Sequence, residues 1–241
     1  MRLSVKKLRD DEALRQVFAA CVTLGLATGV FAVSFGVASV GAGASVVQTC
    51  VMSLLVFTGA SQFSAISVIG AGGSPASAFG GAAVLAARNA AYGLSMATHL
   101  KGRFATRLVA AQLTIDESTA MAAAQDDETH RRAAFWITGL AVYLAWNTGT
   151  LVGALLGSAI DPKTYGLDAA FPAAFVAMVW AMLRDRRSLQ AAVIGASLCL
   201  ATIPFTPVGV PILCAALGVL VGVPSPQDVE RQDVERQEHE Q

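Results

Sequence analysis

Val17-Phe-Ala-Ala-Cys-Val-Thr-Leu-Gly-Leu-Ala-Thr-Gly-Val-Phe-Ala-Val-Ser-Phe-Gly-Val-Ala-Ser-Val40 opens a stretch that runs to Ala87 without one Lys, Arg, Asp or Glu. A helix on the surface of a soluble bundle carries a polar face opposite its apolar one. This stretch has no such face, and lipid is the solvent that fits it. About 20 consecutive apolar residues cross a bilayer, so the run holds more than one crossing.

The rest of the chain agrees. Of 241 residues, 54% are hydrophobic and only 14% charged, against about 25% charged in soluble domains; the mean hydropathy is +0.57. Most charges fall into five clusters: Arg2 to Arg15, Lys101 to Arg107, Asp116 to Arg132, Arg184 to Arg187, and the tail from Asp228. The net charge is zero, and no basic stripe with interleaved aromatics supports nucleic-acid binding. The fold class expected is an all-α integral membrane protein with about seven hydrophobic segments, near 17–40, 45–72, 75–97, 133–160, 166–183, 188–204 and 207–223. The basic start leads into an apolar run longer than any signal-peptide core, so Val17 onward reads as a first span. The domain order is a cytoplasmic N-terminus (1–16), a transmembrane transport domain (17–223) with a central polar linker (98–132), and a disordered cytoplasmic tail (224–241). That tail repeats Gln-Asp-Val-Glu-Arg-Gln from Gln227 and again from Gln232.

Lys and Arg in short loops set orientation. The N-terminal cluster, the 101–132 cluster and Arg184, Arg186 and Arg187 all demand the cytoplasmic side. An even number of crossings is then needed between residues 17 and 97, where three apolar segments stand. The conflict disappears if 45–72 is broken and returns to the side it entered from. Thr58-Gly59-Ala60-Ser61-Gln62 supplies the break: a glycine among hydroxyl and amide side chains suits backbone that lines a cavity or packs in protein. Gly70-Ala71-Gly72-Gly73 is a second break, after which Ser74 reads as an N-cap and Pro75 as the first helical residue. Thr28-Gly29 before Phe57 and Thr148-Gly149 before Phe175 hint at an internal two-fold repeat of parallel halves.

Few residues carry chemistry. Arg88, beside Asn89, sits well inside the 75–97 span, where burying a guanidinium costs roughly 2.5–3.5 kcal/mol on insertion scales. A cavity-facing guanidinium would bind a carboxylate through its forked donors; a tie to backbone carbonyls, or snorkelling, is the structural alternative. At the 58–62 break, freed backbone groups with Thr58, Gly59, Ser61 and Gln62 form a candidate substrate site, against a simple packing kink. Asp168, at a segment start, reads first as a helix cap and second as a coupling carboxylate. Asp116 and Glu117 read first as a solvated turn and second as a cytoplasmic gate. Gly149, Gly153 and Gly157 in GxxxGxxxG spacing signal close helix packing; Asn147 is a candidate for hydrogen bonds across helices and, with Asn89, for substrate binding. Cys21, Cys50, Cys199 and Cys214 read as small buried hydrophobes. The His/Cys/Asp/Glu spacings form no metal-ligand set, and neither a cofactor nor an enzyme motif is expected.

The blocks Val56-Phe57-Thr58-Gly59-Ala60-Ser61-Gln62-Phe63, Ala87-Arg88-Asn89-Ala90-Ala91-Tyr92-Gly93-Leu94-Ser95, Asp116-Glu117, Trp146-Asn147-Thr148-Gly149-Thr150 and Leu167-Asp168-Ala169-Ala170-Phe171-Pro172-Ala173 together resemble, in order, the AzlC-type family, the large subunits of bacterial branched-chain amino acid exporters. The family often has Asn-Leu-Arg-His where Ala86-Ala87-Arg88-Asn89 stands here: the arginine is kept and the histidine is not. The resemblance implies export of valine, leucine, isoleucine and methionine across the inner membrane. It also implies a small hydrophobic partner subunit of the AzlD type, with protons as a candidate coupling ion. The competing reading is a non-transporting membrane assembly or signalling subunit whose polar residues serve packing.

Overall fold

Helix starts fall where local chemistry sets them. Ser45 accepts from the Gln48 N–H while Gln48 Oε1 accepts from the Ser45 N–H, a reciprocal capping box. Ser74 caps the helix that opens at Pro75 by accepting from the Ser77 N–H, as the sequence predicts. The computed structural model describes residues 12–159, 176, 180, 183, 186–218 and 220. Their regular elements are helices: α1 (Glu12–Gly41), α2 (Val46–Val56), α3 (Ala60–Gly70), α4 (Pro75–Ala86), α5 (Arg88–Ala97), α6 (Phe104–Gln112), α7 (Asp116–Ala123), α8 (Glu128–Ala159), α9 (Arg186–Thr202) and α10 (Val210–Ala215), with short 3-10 turns at Ile203–Phe205 and Ala216–Gly218. The chain divides into two units, Met1–Phe175 and Val176–Gln241.

In the first unit α1 and α8 are the axis. Cys21 lies by Ala134, Gly25 by Ala141, Gly29 by Ala145 and Gly149, and Gly36 by Gly153. Positions rise together along both helices, so the two run parallel. The glycines make the approach close: a Cβ built on Gly149 would lie 2.1 Å from the Gly29 carbonyl oxygen, and one on Gly153 would lie 2.0 Å from that of Val33. The GxxxGxxxG face is therefore a packing seam, and the two Thr-Gly pairs meet on it. Phe175, the other half of the suggested repeat, lies outside the described residues.

Burial is inverted relative to a soluble domain. Gln62, Thr49, Ser53, Thr138 and Thr150 are fully buried, while Val30 is 75% and Leu94 78% exposed. Hydroxyls pair inside the bundle, Ser39 with Thr49 and Ser53 with Thr150. Polar groups turned inward and aliphatic ones outward match a lipid surround. Among the described residues three helices are long and apolar enough to cross a membrane, Leu14–Gly41, Glu128–Ala159 and Arg186–Phe205.

The 45–72 segment is a broken hairpin. Phe57 and Gly59 have positive φ (33° and 59°), a conformation that suits glycine, and they turn α2 into α3. Gly70, at the far end of α3, packs on Ala42 at the end of α1, beside the start of α2. The hairpin thus returns to the end it left. Its tip reaches Tyr143 and Trp146, at the middle of α8.

The 98–132 stretch, a polar linker by composition, carries helices α6 and α7. It folds inward as a second hairpin, α6–α7, whose turn buries Leu113, Thr114 and Ile115 and packs Leu113 on Gly139 of α8. Its ends stay at the start of α8: His99 bonds Glu128 at 2.8 Å and Arg131 donates to the Gln125 carbonyl at 2.7 Å. The reason is apolar content: Ala110, Leu113 and Ile115 are buried in the bundle, while Leu108 and Val109 lie exposed on the outer face. The two hairpins enter from opposite ends. The basic groups Arg15, Lys101, Arg131 and Arg132 lie at the α6–α7 end; the two turns at the opposite end, Gly41–Ser45 and Gly70–Ser74, hold no charged residue.

Helices α4 and α5 nearly form one rod, interrupted at Ala87, and together fill the 75–97 segment. In the second unit α9 packs antiparallel to α10, with Gly195 against the Ala215 carbonyl and Gly218 against that of Ala191. The expected 188–204 segment corresponds to α9 and its 3-10 end; α10 is shorter than the 207–223 segment. The 166–183 segment and the two termini fall almost wholly outside the described residues.

Candidate functional site

The tips of the two hairpins meet. A helix end leaves its last carbonyls without intrahelical partners, and α2 ends inside the bundle. Gln112, the last residue of α6, supplies the donors: its amide nitrogen donates to the Leu54 and Leu55 carbonyls at 3.0 and 3.3 Å. The Tyr143 hydroxyl donates to the Leu54 carbonyl at 3.2 Å. Two helix N-termini, those of α3 and α7, start at these same tips, and each presents a partial positive charge.

At the first tip Gln62 folds back, its Oε1 accepting from the Thr58 and Gly59 N–H groups at 3.3 and 3.1 Å. Thr58 and Ser61 are hydrogen-bonded through their hydroxyls. Behind the turn Phe31, Phe35, Phe63 and Trp146 pack ring against ring, with centroids 5.2 to 6.4 Å apart. Two buried donors, Gln62 Nε2 and Trp146 Nε1, have no hydrogen-bond partner among the described residues. Buried polar groups are nearly always paired, so these two donors stand out at the tip.

At the second tip Ser118 closes the turn, accepting from the Ile115 N–H and donating to the Leu113 carbonyl. This sets Asp116 on the first turn of α7, facing α5. Arg88 Nη1 lies 2.8 Å from Asp116 Oδ2. Tyr92, one turn along α5, shares the field of Asp116, Arg88 and Glu117. The contact is one-pronged: Arg88 Nε and Asp116 Oδ1 are buried and unpartnered among the described residues. Asp116 pairs with the guanidinium, and the half-buried Glu117 follows it on α7.

The chain itself provides Arg88 with a carboxylate, Asp116, which offsets the cost of an arginine inside a span. Asp116 and Glu117 stand on the first turn of α7. Thr58, Gly59, Ser61 and Gln62 come together as expected, and Asn89 stands half-buried beside Arg88. Asn147 bonds within its own helix, to the Tyr143 carbonyl at 2.8 Å, rather than across helices. Asp168 lies outside the described residues. Gln112 and Tyr143 join the site without any motif in the sequence to mark them. Gln112 had no local signal, because its partners lie 57 and 58 residues away.

A family model described as AzlC protein matches residues 23–160, more than half of the chain and all of both hairpins. The chain belongs to the AzlC family. It is 27% identical over 218 residues to the branched-chain amino acid transport protein AzlC of Bacillus subtilis (strain 168), covering 87% of this chain and 82% of that one. It is 30% identical over 177 residues to the inner membrane protein YgaZ of Escherichia coli (strain K12), covering 68% and 72%. No solved structure matches. The AzlC match holds the Arg88–Asp116 pair, the 58–62 turn and the α1–α8 seam within one continuous region.

Proposed function

We propose that this protein is a secondary transporter that exports branched-chain and other small hydrophobic amino acids across the bacterial inner membrane. The observation that carries the reading is the meeting of two broken hairpins from opposite ends of the bundle, with Arg88 and unpartnered donors at their tips. Interrupted helices at mid-depth are where secondary transporters hold small charged substrates. Arg88 offers the substrate carboxylate a charge, and the 58–62 turn with Gln62 and Trp146 offers donors and apolar walls. The kinship with a branched-chain amino acid transport protein supports the substrate class. The basic end of the bundle faces the cytoplasm on the positive-inside rule, which places the N-terminus there. Asp116 and Glu117 serve as gating or proton-coupling carboxylates, and Asp168 is a second coupling candidate. An AzlD-type small subunit packs on the exposed apolar faces.

The test is efflux from cells loaded with a leucine- or valine-containing dipeptide. Deletion should raise intracellular leucine and slow its exit, and Arg88→Ala should reproduce the deletion while still reaching the membrane. Unchanged efflux in the deletion strain, or full activity in Arg88→Ala, refutes the reading.

A further inference from the structure

A cleft of about 450 Å³ lies between α5 and α6. Its walls include Gly93, Met96 and Leu100 from α5 and the segment after it, and Thr114 from the α6–α7 turn. Lys101 and Arg107 line it as well, and both are exposed at the basic end of the bundle. The volume falls in the range of small-molecule pockets, about 300–1,000 Å³. Inward, the lining stops one residue from Tyr92 and two from Asp116. A cleft of mixed polar and apolar lining with a basic mouth thus ends at residues next in sequence to those around the Arg88–Asp116 pair.

We infer that a zwitterionic amino acid enters through this cleft and opens the Arg88–Asp116 ion pair, its carboxylate taking Arg88 and its ammonium taking Asp116. This deepens the transport reading and rests on it. The pair suits such an exchange because a single 2.8 Å contact joins it, with Arg88 Nε and Asp116 Oδ1 unpartnered among the described residues and Tyr92 beside Asp116. A guanidinium binds a carboxylate best with two parallel bonds, so an incoming carboxylate gains a second bond that Asp116 does not make. A zwitterion replaces both halves of the pair and leaves no charge uncompensated. A plain carboxylate would release Asp116 alone beside Glu117; a plain amine would release Arg88. The two side chains are 37% and 40% exposed, and where that exposure is to lipid and not to water, breaking one side of the pair is costly because the other charge stays unpaired. The resting pair is then a filter: it excludes fatty acids and amines and admits amino acids. The apolar part of the cleft wall accommodates the side chain.

The experiment measures ligand-induced thermal stabilisation of the purified full-length protein by leucine, 4-methylpentanoate (leucine without its ammonium) and 3-methylbutylamine (leucine without its carboxylate). Wild type should respond to leucine well below the concentrations needed for either analogue. In Asp116→Asn the preference for leucine over 4-methylpentanoate should fall about ten- to a hundredfold, the span of one charged hydrogen bond. In Arg88→Gln the preference for leucine over 3-methylbutylamine should fall likewise. Undiminished preferences in both variants overturn the exchange. A second measurement needs no change at the pair: in a protein cleared of its native cysteines, leucine should slow maleimide labelling of Ala111→Cys in the cleft wall, and labelling unaffected by saturating leucine overturns entry by this route. Wild-type protein that binds leucine with these preferences yet moves none in vesicles would refute the transport reading while leaving the exchange intact.

Discussion

Gly153→Ala tests the seam on which everything else is hung. A Cβ at residue 153 would lie 2.0 Å from the Val33 carbonyl oxygen and 2.8 Å from the Val33 carbonyl carbon. Ordinary contact begins at 3.4 Å, so relief requires α1 and α8 to part by about 1.4 Å at this level. The obstructing atoms are backbone, and no rotamer change removes them. Gaps of this size forfeit much of the dispersion attraction between packed surfaces, and overpacking typically costs about 1–3 kcal/mol. The upper end is expected here, roughly a hundredfold in the folding equilibrium. On the scaling for domains of 150–250 residues, about 3 kcal/mol lowers the melting temperature by roughly 6–12 °C. The assay is thermal unfolding in detergent, with Gly93→Ala as the comparison, because a Cβ at residue 93 meets nothing within 4 Å. Gly153→Ala melting within a degree of Gly93→Ala would refute the close parallel packing of α1 on α8.

Three further outcomes are expected. Gln112→Ala removes the donor that joins the hairpin tips and should cost about 1 kcal/mol, with transport falling more than stability; unchanged efflux would show that the junction has no role. Trp146→Phe should leave the melting temperature nearly unchanged because the indole N–H has no partner among the described residues, yet weaken leucine binding, whereas Trp146→Ala should cost about 3–5 kcal/mol; equal leucine affinity in wild type and Trp146→Phe would exclude the N–H from the site. Asp127 caps α8, accepting from the His130 and Thr129 N–H groups, and the His130 N–H is first among the contacts that hold its carboxyl below the usual range. Its contribution is therefore complete above the ordinary carboxylate pKa of about 3.9 and disappears as pH falls through the lower folded-state value. Unfolding followed between pH 6 and pH 2 should show an acid-side slope in wild type that Asp127→Asn reduces.

The sequence by itself determined the solvent and the list of odd residues. An uncharged run from Val17 to Ala87 has no polar face to offer water, so a lipid surround follows from composition alone. The break at Thr58–Gln62 was legible because glycine, hydroxyl and amide side chains have no place in a lipid-facing helix, and positive-inside counting required that break to turn the chain back. Arg88 stood out for its cost. Only the tertiary structure decided what offsets that cost. The charges of residues 101–132 look like a solvated linker when read in order, because local composition reports average polarity and not which face turns inward. Leu113 and Ile115 draw that stretch into the bundle, and this brings Asp116 to Arg88 across 28 residues of sequence. Ion pairs and capping donors between distant segments depend on where helices pack, and packing is set by surfaces that no single segment contains.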